Sequence, residues 1–130
     1  MKINLGRTVV LVTDYDKAFE FYHANFGFEK IFDQTAPDGS RYLHVGIPND
    51  KCGIWFMKPA GPSQEACVGN QTGGQPTLVL YTDDAQRLFS KLEANNVQMA
   101  SELVRADGSQ FFHCLDLYGN RITIVQMDRS

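Results

Sequence analysis

The sequence predicts an α+β fold built from two tandem strand–helix–three-strand modules. Three observations predict it. The string "DGSRYLH" at 38–44 returns as "DGSQFFH" at 107–113. "LVTD" at 11–14 returns in the same relative place as "LYTD" at 80–83. Between these landmarks the apolar period changes in the same order twice, from a β-branched run to a helical spacing and back to short strand-like runs. Two further matches keep the order: Phe19 falls on Leu88, and "GIWFM" at 53–57 falls on "RITIV" at 121–125.

Each element has a physical reason. "RTVVLV" (7–12) is β-branched and apolar, a buried strand. Asp14 or Asp16 can cap the following helix. There Phe19, Tyr22 and Phe26 recur at helical spacing, and Gly27 supplies the stop. "FEKIFDQ" (28–34), "RYLHVGI" (41–47) and "CGIWFM" (52–57) read as strands, parted by the turns "PDGS" and "PNDK". In the second module "TLVLYT" (77–82) is a strand, and 84–95 is a helix with Leu88 and Leu92 inward. "QMASELVR" (98–105) and "QFFHCLD" (110–116) form a hairpin on "ADGS", and "YGN" turns into "RITIVQM" (121–127). The expected organisation is a single domain over 1–130, with a first module at 3–58 and a second at 77–128. The Pro- and Gly-rich stretch 59–76 between them reads as a linker or lid.

The totals bound the function classes. A chain of 130 residues can bury a core without staples. With 43% apolar residues, 21% charged residues and a net charge of −3, it has no basic cluster of the kind nucleic acid needs. No apolar run approaches the roughly 18 residues of a membrane span. "MKINLGRTVV" lacks the apolar core and small cleavage residues of a signal peptide. The three cysteines, Cys52, Cys67 and Cys114, are widely spaced, which suggests reduced thiols in a cytoplasm rather than a disulfide framework or zinc ribbon.

The opening "LVTDYDKAFEFYHANFGFE" and the closing "DLYGNRITIV" carry a resemblance that spans nearly the whole chain. It resembles the vicinal oxygen chelate superfamily, the glyoxalase / bleomycin-resistance protein / extradiol dioxygenase group. The closing motif departs from that group's Asp-Pro-Asp-Gly, reading Asp116-Leu117-Tyr118-Gly119, but Gly119 still provides the positive φ such a turn needs. The resemblance implies that each module curls a four-stranded mixed sheet, and that paired modules form a cup, usually within a homodimer. It also implies a divalent ion on four positions, which here are Arg7, Trp55, Thr77 and Thr123. Arg and Trp offer no lone pair, and Thr hydroxyls are poor ligands beside imidazole and carboxylate. No metal and no other cofactor is therefore expected.

Strand alternation sorts the remaining side chains. Arg7, Val9 and Leu11 face the cup if Thr8, Val10 and Val12 face the helix. Tyr42, His44 and Gly46 then face the cup opposite the core residues Leu43, Val45 and Ile47, and Trp55 and Met57 opposite Ile54 and Phe56. In the second module Thr77, Val79 and Tyr81 face the cup and Leu78 and Leu80 the core. Phe111 and His113 alternate there with Phe112 and Cys114, and Thr123 and Val125 with Ile122 and Ile124. The expected ligand-binding residues are Arg7, Tyr42, His44, Trp55 and Met57 from the first module, and Thr77, Tyr81, Phe111, His113 and Thr123 from the second.

The repeat points a His into the cup twice. His44 and His113 are candidate acid/base or ligand-contacting residues, since His titrates near neutral pH. They also fit half-buried strand positions with a hydrogen-bond partner, or a displaced metal site. Arg7, on an apolar strand, requires water, a carboxylate or an anion. His23 reads as solvated surface near Glu20. The leading function is a metal-independent binding protein holding a partly planar, anionic small molecule between aromatic walls. Its binding should weaken as pH rises through about 6.5 if either His must be charged. The alternatives are a metal-free isomerase, lyase or hydrolase using His44 or His113, and an interaction module with a collapsed cup.

Overall fold

The computed structural model describes residues 1–128; residues 129 and 130, the end of the expected domain, lie outside the described residues. The chain forms two compact units, Met1–Val68 and a second from Gly69 onward, and the division falls inside the Pro- and Gly-rich stretch.

The first unit runs β1 (Arg7–Leu11), α1 (Tyr15–Phe26), β2 (Glu29–Thr35), β3 (Arg41–Gly46), β4 (Gly53–Met57) and a one-turn α2 (Pro62–Glu65). Its sheet has the order β1-β4-β3-β2, with β1 parallel to β4 and the other pairs antiparallel. Asp14 caps α1 by accepting the Lys17 N–H at 3.0 Å, and Gly27, at φ 76°, closes it. There the Gly27 N–H returns to His23 O and the Phe28 N–H to Tyr22 O, the closure that needs a left-handed residue. α1 packs on β2 and β4 through Ala18 and Tyr22, both fully buried. Phe19 and Phe26 flank that line half-buried, so the stripe is centred one position away from the large aromatics. Tyr22 meets Phe28 and Phe56 at ring separations of 5.4 and 5.6 Å. Val10, Val12, Leu43, Val45, Ile54 and Phe56 complete this core, as the alternation predicted. Burying one such side chain as fully as Phe56 stabilises by roughly 1.5–3 kcal/mol. On the helix side Arg41 clamps Asp33 through two hydrogen bonds of 2.9 and 3.0 Å and reaches Asp16 at 3.0 Å. That guanidinium holds the Asp33 carboxyl below its ordinary value. His23 is exposed, as the sequence reading expected, and its Nδ1 lies 2.9 Å from Phe28 O and 3.5 Å from Glu29.

The second unit runs β5 (Leu78–Tyr81), α3 (Ala85–Ala94), β6 (Val104–Ala106), β7 (Ser109–Leu115) and β8 (Arg121–Met127). The order β5-β8-β7-β6 repeats the first sheet, with β5 parallel to β8. Asp84 caps α3 as Asp14 caps α1. Phe112, Cys114, Ile122, Ile124 and Leu92 are fully buried. Leu78 and Leu80 are only half-buried, because β5 is an edge strand and α3 rests on β7 and β8. Leu88 is likewise half-buried.

The expected strand 98–105 is not continuous. Gln98 O and the Ala100 N–H begin a ladder with β7, but Ser101 Oγ then takes the His113 N–H at 2.9 Å. A side-chain acceptor there replaces the backbone carbonyl and detaches the chain until Val104. The two "DGS" strings also differ in use. The first lies wholly inside a loop, where Asp38 Oδ1 accepts the Ser40 N–H. The second is a two-residue Asp107-Gly108 turn between paired Ala106 and Ser109. At the close of the chain buried Asp116 accepts the N–H groups of Tyr118 and Asn120 and the Asn120 amide, and Gly119 takes φ 97°. Gly69 approaches the Tyr118 carbonyl so closely that a side chain would collide with backbone.

Candidate functional site

In each sheet α1 or α3 covers one face, and the other face carries the candidate residues. In the first unit pairing arranges them in rows. Val9, Trp55, His44 and Phe32 stand side by side across β1, β4, β3 and β2. The row toward the start of β1 holds Arg7, Gly53 and Gly46; the row beyond holds Leu11, Met57, Tyr42 and Gln34. The rings form a continuous run. Trp55 lies 4.8 Å from His44 and 6.2 Å from Tyr42, and His44 lies 5.4 Å from Phe32. Tyr42, Phe32 and Val9 remain exposed.

Arg7 reaches across β4 to this run. Its Nε donates to His44 Nδ1 at 3.0 Å, and its Nη1 donates to Gly6 O at 2.7 Å and Lys51 O at 3.5 Å. Among the described residues no ion pair joins Arg7 to a carboxylate. Arg7 is half-buried, and its hydrogen-bond partners among the described residues are neutral: one imidazole nitrogen and two backbone carbonyls. The bond also fixes His44. A nitrogen that accepts from a guanidinium carries no proton, so the His44 proton sits on Nε2, which becomes a donor. Burial, and then the Arg7 charge, lower the His44 pKa below 6.5.

The second unit's face is built from Val79, Thr123 and His113 in one row and Tyr81, Val125, Phe111 and Val104 in the next. His113 Nδ1 lies 2.8 Å from Thr123 Oγ1, and its ring is 5.9 Å from Phe111. Burial, and then the charge of Arg121, lower its pKa. Thr77, one residue before β5, gives its N–H to Arg121 O at 2.8 Å. Tyr81 is largely exposed. The condition that a His be charged to bind an anion therefore meets an obstacle in both units: each ring is held toward its neutral form.

Two residues on the first face were missed by alternation. Ile31 is an extra residue in β2, where the register with β3 shifts between Lys30 and Phe32. The bulge brings Ile31 and Phe32 to the same side, and both are 45% exposed. Two adjacent apolar residues in the otherwise polar "EKIFDQT" were the only sign of it.

The family model for the glyoxalase/bleomycin resistance protein/dioxygenase superfamily matches residues 4–124. The chain belongs to that superfamily. An uncharacterized protein of Shewanella frigidimarina (strain NCIMB 400) is 28% identical over 98% of this chain and 96% of its own. The crystal structure of TnmS3, an antibiotic binding protein from Streptomyces sp. CB03234, superposes with a TM-score of 0.77 at 23% identity, covering 98% of each chain. A superfamily member from Sphaerobacter thermophilus DSM 20745 gives a TM-score of 0.74 at 20% identity over 96% of this chain and 98% of its own. The two four-stranded mixed sheets seen here match the fold of these structures.

The superfamily's metal does not fit the residues present. Arg7 has no lone pair to give and has committed Nε–H to His44; the Trp55 indole is a donor; Thr123 Oγ1 is engaged by His113; Thr77 offers a neutral hydroxyl. Among the described residues no group of three or more His, Cys, Asp or Glu could hold an ion. Among them too, no helix is long and apolar enough to cross a membrane.

Proposed function

We propose that this chain is a metal-independent binding protein for a small, partly planar anion. In this reading Arg7 and the His44 Nε2–H meet the charged end, and Tyr42, Trp55 and Phe32 lie along the planar part. The observation that carries it is the Arg7 guanidinium, bonded only to neutral acceptors beside a run of aromatic rings. A charged donor in such a place lacks only an anionic acceptor. The solved relative described as an antibiotic binding protein supports the small-molecule-binding part of this reading. The second unit's Thr77, Tyr81, Phe111, His113 and Thr123 are proposed to contact ligand in the same manner. We further propose a homodimer, in line with the resemblance; sedimentation at micromolar concentration as a single chain would refute it.

The test is calorimetric titration with benzoate in the presence of EDTA. Wild type should bind, and Arg7→Ala should lose about 1.5–3 kcal/mol, the worth of a hydrogen bond to a charged group. Equal affinity in the variant, or binding abolished by the chelator, would overturn the proposal. A metal-free isomerase, lyase or hydrolase remains the second reading, and His113 favours it over His44. If His113 Nδ1–H donates to Thr123, Nε2 keeps a lone pair able to take a proton, which the Arg7 bond denies to His44.

A further inference from the structure

Gly46 and Gly53 stand side by side on the first unit's open face, opposite Arg7 in the register of β1 and next to His44 and Trp55 along their strands. Two adjacent positions without side chains leave a depression in the sheet surface at the charged end of the face. The Ile31 side chain fills it. A Cβ built on Gly46 would lie 2.7 Å from Ile31 Cδ1, and one on Gly53 would lie 2.6 Å from the same atom. Ile31 reaches this place only because the β2 bulge turns it onto the open face.

The two glycines are not equivalent. At Gly53 the backbone carbonyl of Val45 also stands at 2.6 Å, so a side chain there requires the sheet to move. At Gly46 the sole atom closer than 3 Å is the end of the Ile31 side chain; the next is at 3.5 Å. A methyl at Gly46 therefore competes with Ile31 for one space. Ile31 is itself 45% exposed, so one side of it packs into the depression and the other is free to meet a ligand.

We propose that Ile31 is the size-selecting residue of the anion-binding face: its δ-methyl occupies the Gly46–Gly53 depression and limits how much of a planar ligand can settle beside Arg7. The proposal rests on the binding reading above and names what sets its selectivity. Ile31→Ala should open the depression to a second fused ring. Gly46→Ala in the Ile31→Ala background should refill it.

The experiment compares benzoate with 2-naphthoate by calorimetric titration on wild type, Ile31→Ala and Ile31→Ala/Gly46→Ala, with urea unfolding to confirm that each is folded. The ratio of naphthoate to benzoate affinity should rise in Ile31→Ala on the order of tenfold, the discrimination that a methylene or two gives in an apolar pocket. It should return toward the wild-type ratio in the double variant. Benzoate binding intact with a ratio unchanged within about twofold would overturn the role of Ile31 alone. No binding of either anion to any variant would overturn the function reading and this proposal together. Ile31→Val, which removes only the δ-methyl that touches both glycine sites, should give an intermediate ratio and provides the answer if the alanine variant fails to fold.

Discussion

His44 and His113 occupy equivalent places in the repeat but have different partners. His44 accepts from Arg7, and His113 pairs with Thr123. Both pKa values are lowered, chiefly by burial. In the unfolded chain each returns to about 6.5, so between the folded and unfolded values the unfolded chain binds more protons. The stability tied to these neutral rings is present above about 6.5 and is lost as pH falls through the folded values. Urea midpoints measured from pH 7.5 down to 5.5 should therefore fall more steeply in wild type than in His44→Gln/His113→Gln, whose amides keep an acceptor but do not titrate. Parallel curves would show that the rings do not report on folding. The same neutrality predicts that benzoate affinity stays level from pH 7 to 8.5, where a site requiring an imidazolium would weaken steadily. Both histidines were visible as a repeat in the sequence. The Arg7 bond was not, because it joins residues 37 positions apart through a sheet register that no local pattern encodes.

At the scale of elements, the legible features were those fixed by local physics. Period-two alternation placed Val10, Leu43, Val45, Phe56, Phe112 and Ile124 in the cores, since each strand buries one face only. The α1 stop was legible for the same reason. Gly27 has no neighbour within 4 Å of a built Cβ, so it is required by its φ of 76° and not by crowding. Gly27→Ala should therefore cost about 1–2 kcal/mol, the left-handed penalty for a residue with a Cβ, seen as a lower urea midpoint. An unchanged midpoint would mean that the helix finds another closure. The interruptions were not legible. Ser101 breaks the 98–105 strand with its own hydroxyl, and at the β2 bulge Ile31 packs over two glycines of other strands. Each is a tertiary choice that the local pattern does not specify. The site inherits this: alternation found the Tyr42, His44 and Trp55 face but had no means to find Ile31.

At the scale of the molecule, duplication made the architecture readable, because "DGS" and the capping aspartates mark the same points of both sheets. The copies differ in chemistry, with an arginine in the first where the second has Thr77. They also differ in their cysteines. Cys67 is exposed, Cys52 is half-buried, and Cys114 is sealed in the second core with its thiol pushed up to about 12 by burial and by Asp116. Only a thiolate attacks an alkylating reagent. Labelled at pH 8, the chain should react first at Cys67 and then at Cys52, while Cys114 waits for its sheet to open. Mass spectrometry of peptides taken over time would follow each thiol, and a Cys114 rate equal to that of Cys67 in native buffer would contradict its burial. In rising urea the Cys114 rate should climb with the opening of the second unit. One buried sulfur thus acts as a clock for the half of the protein that holds His113, readable with no residue substituted and no ligand known.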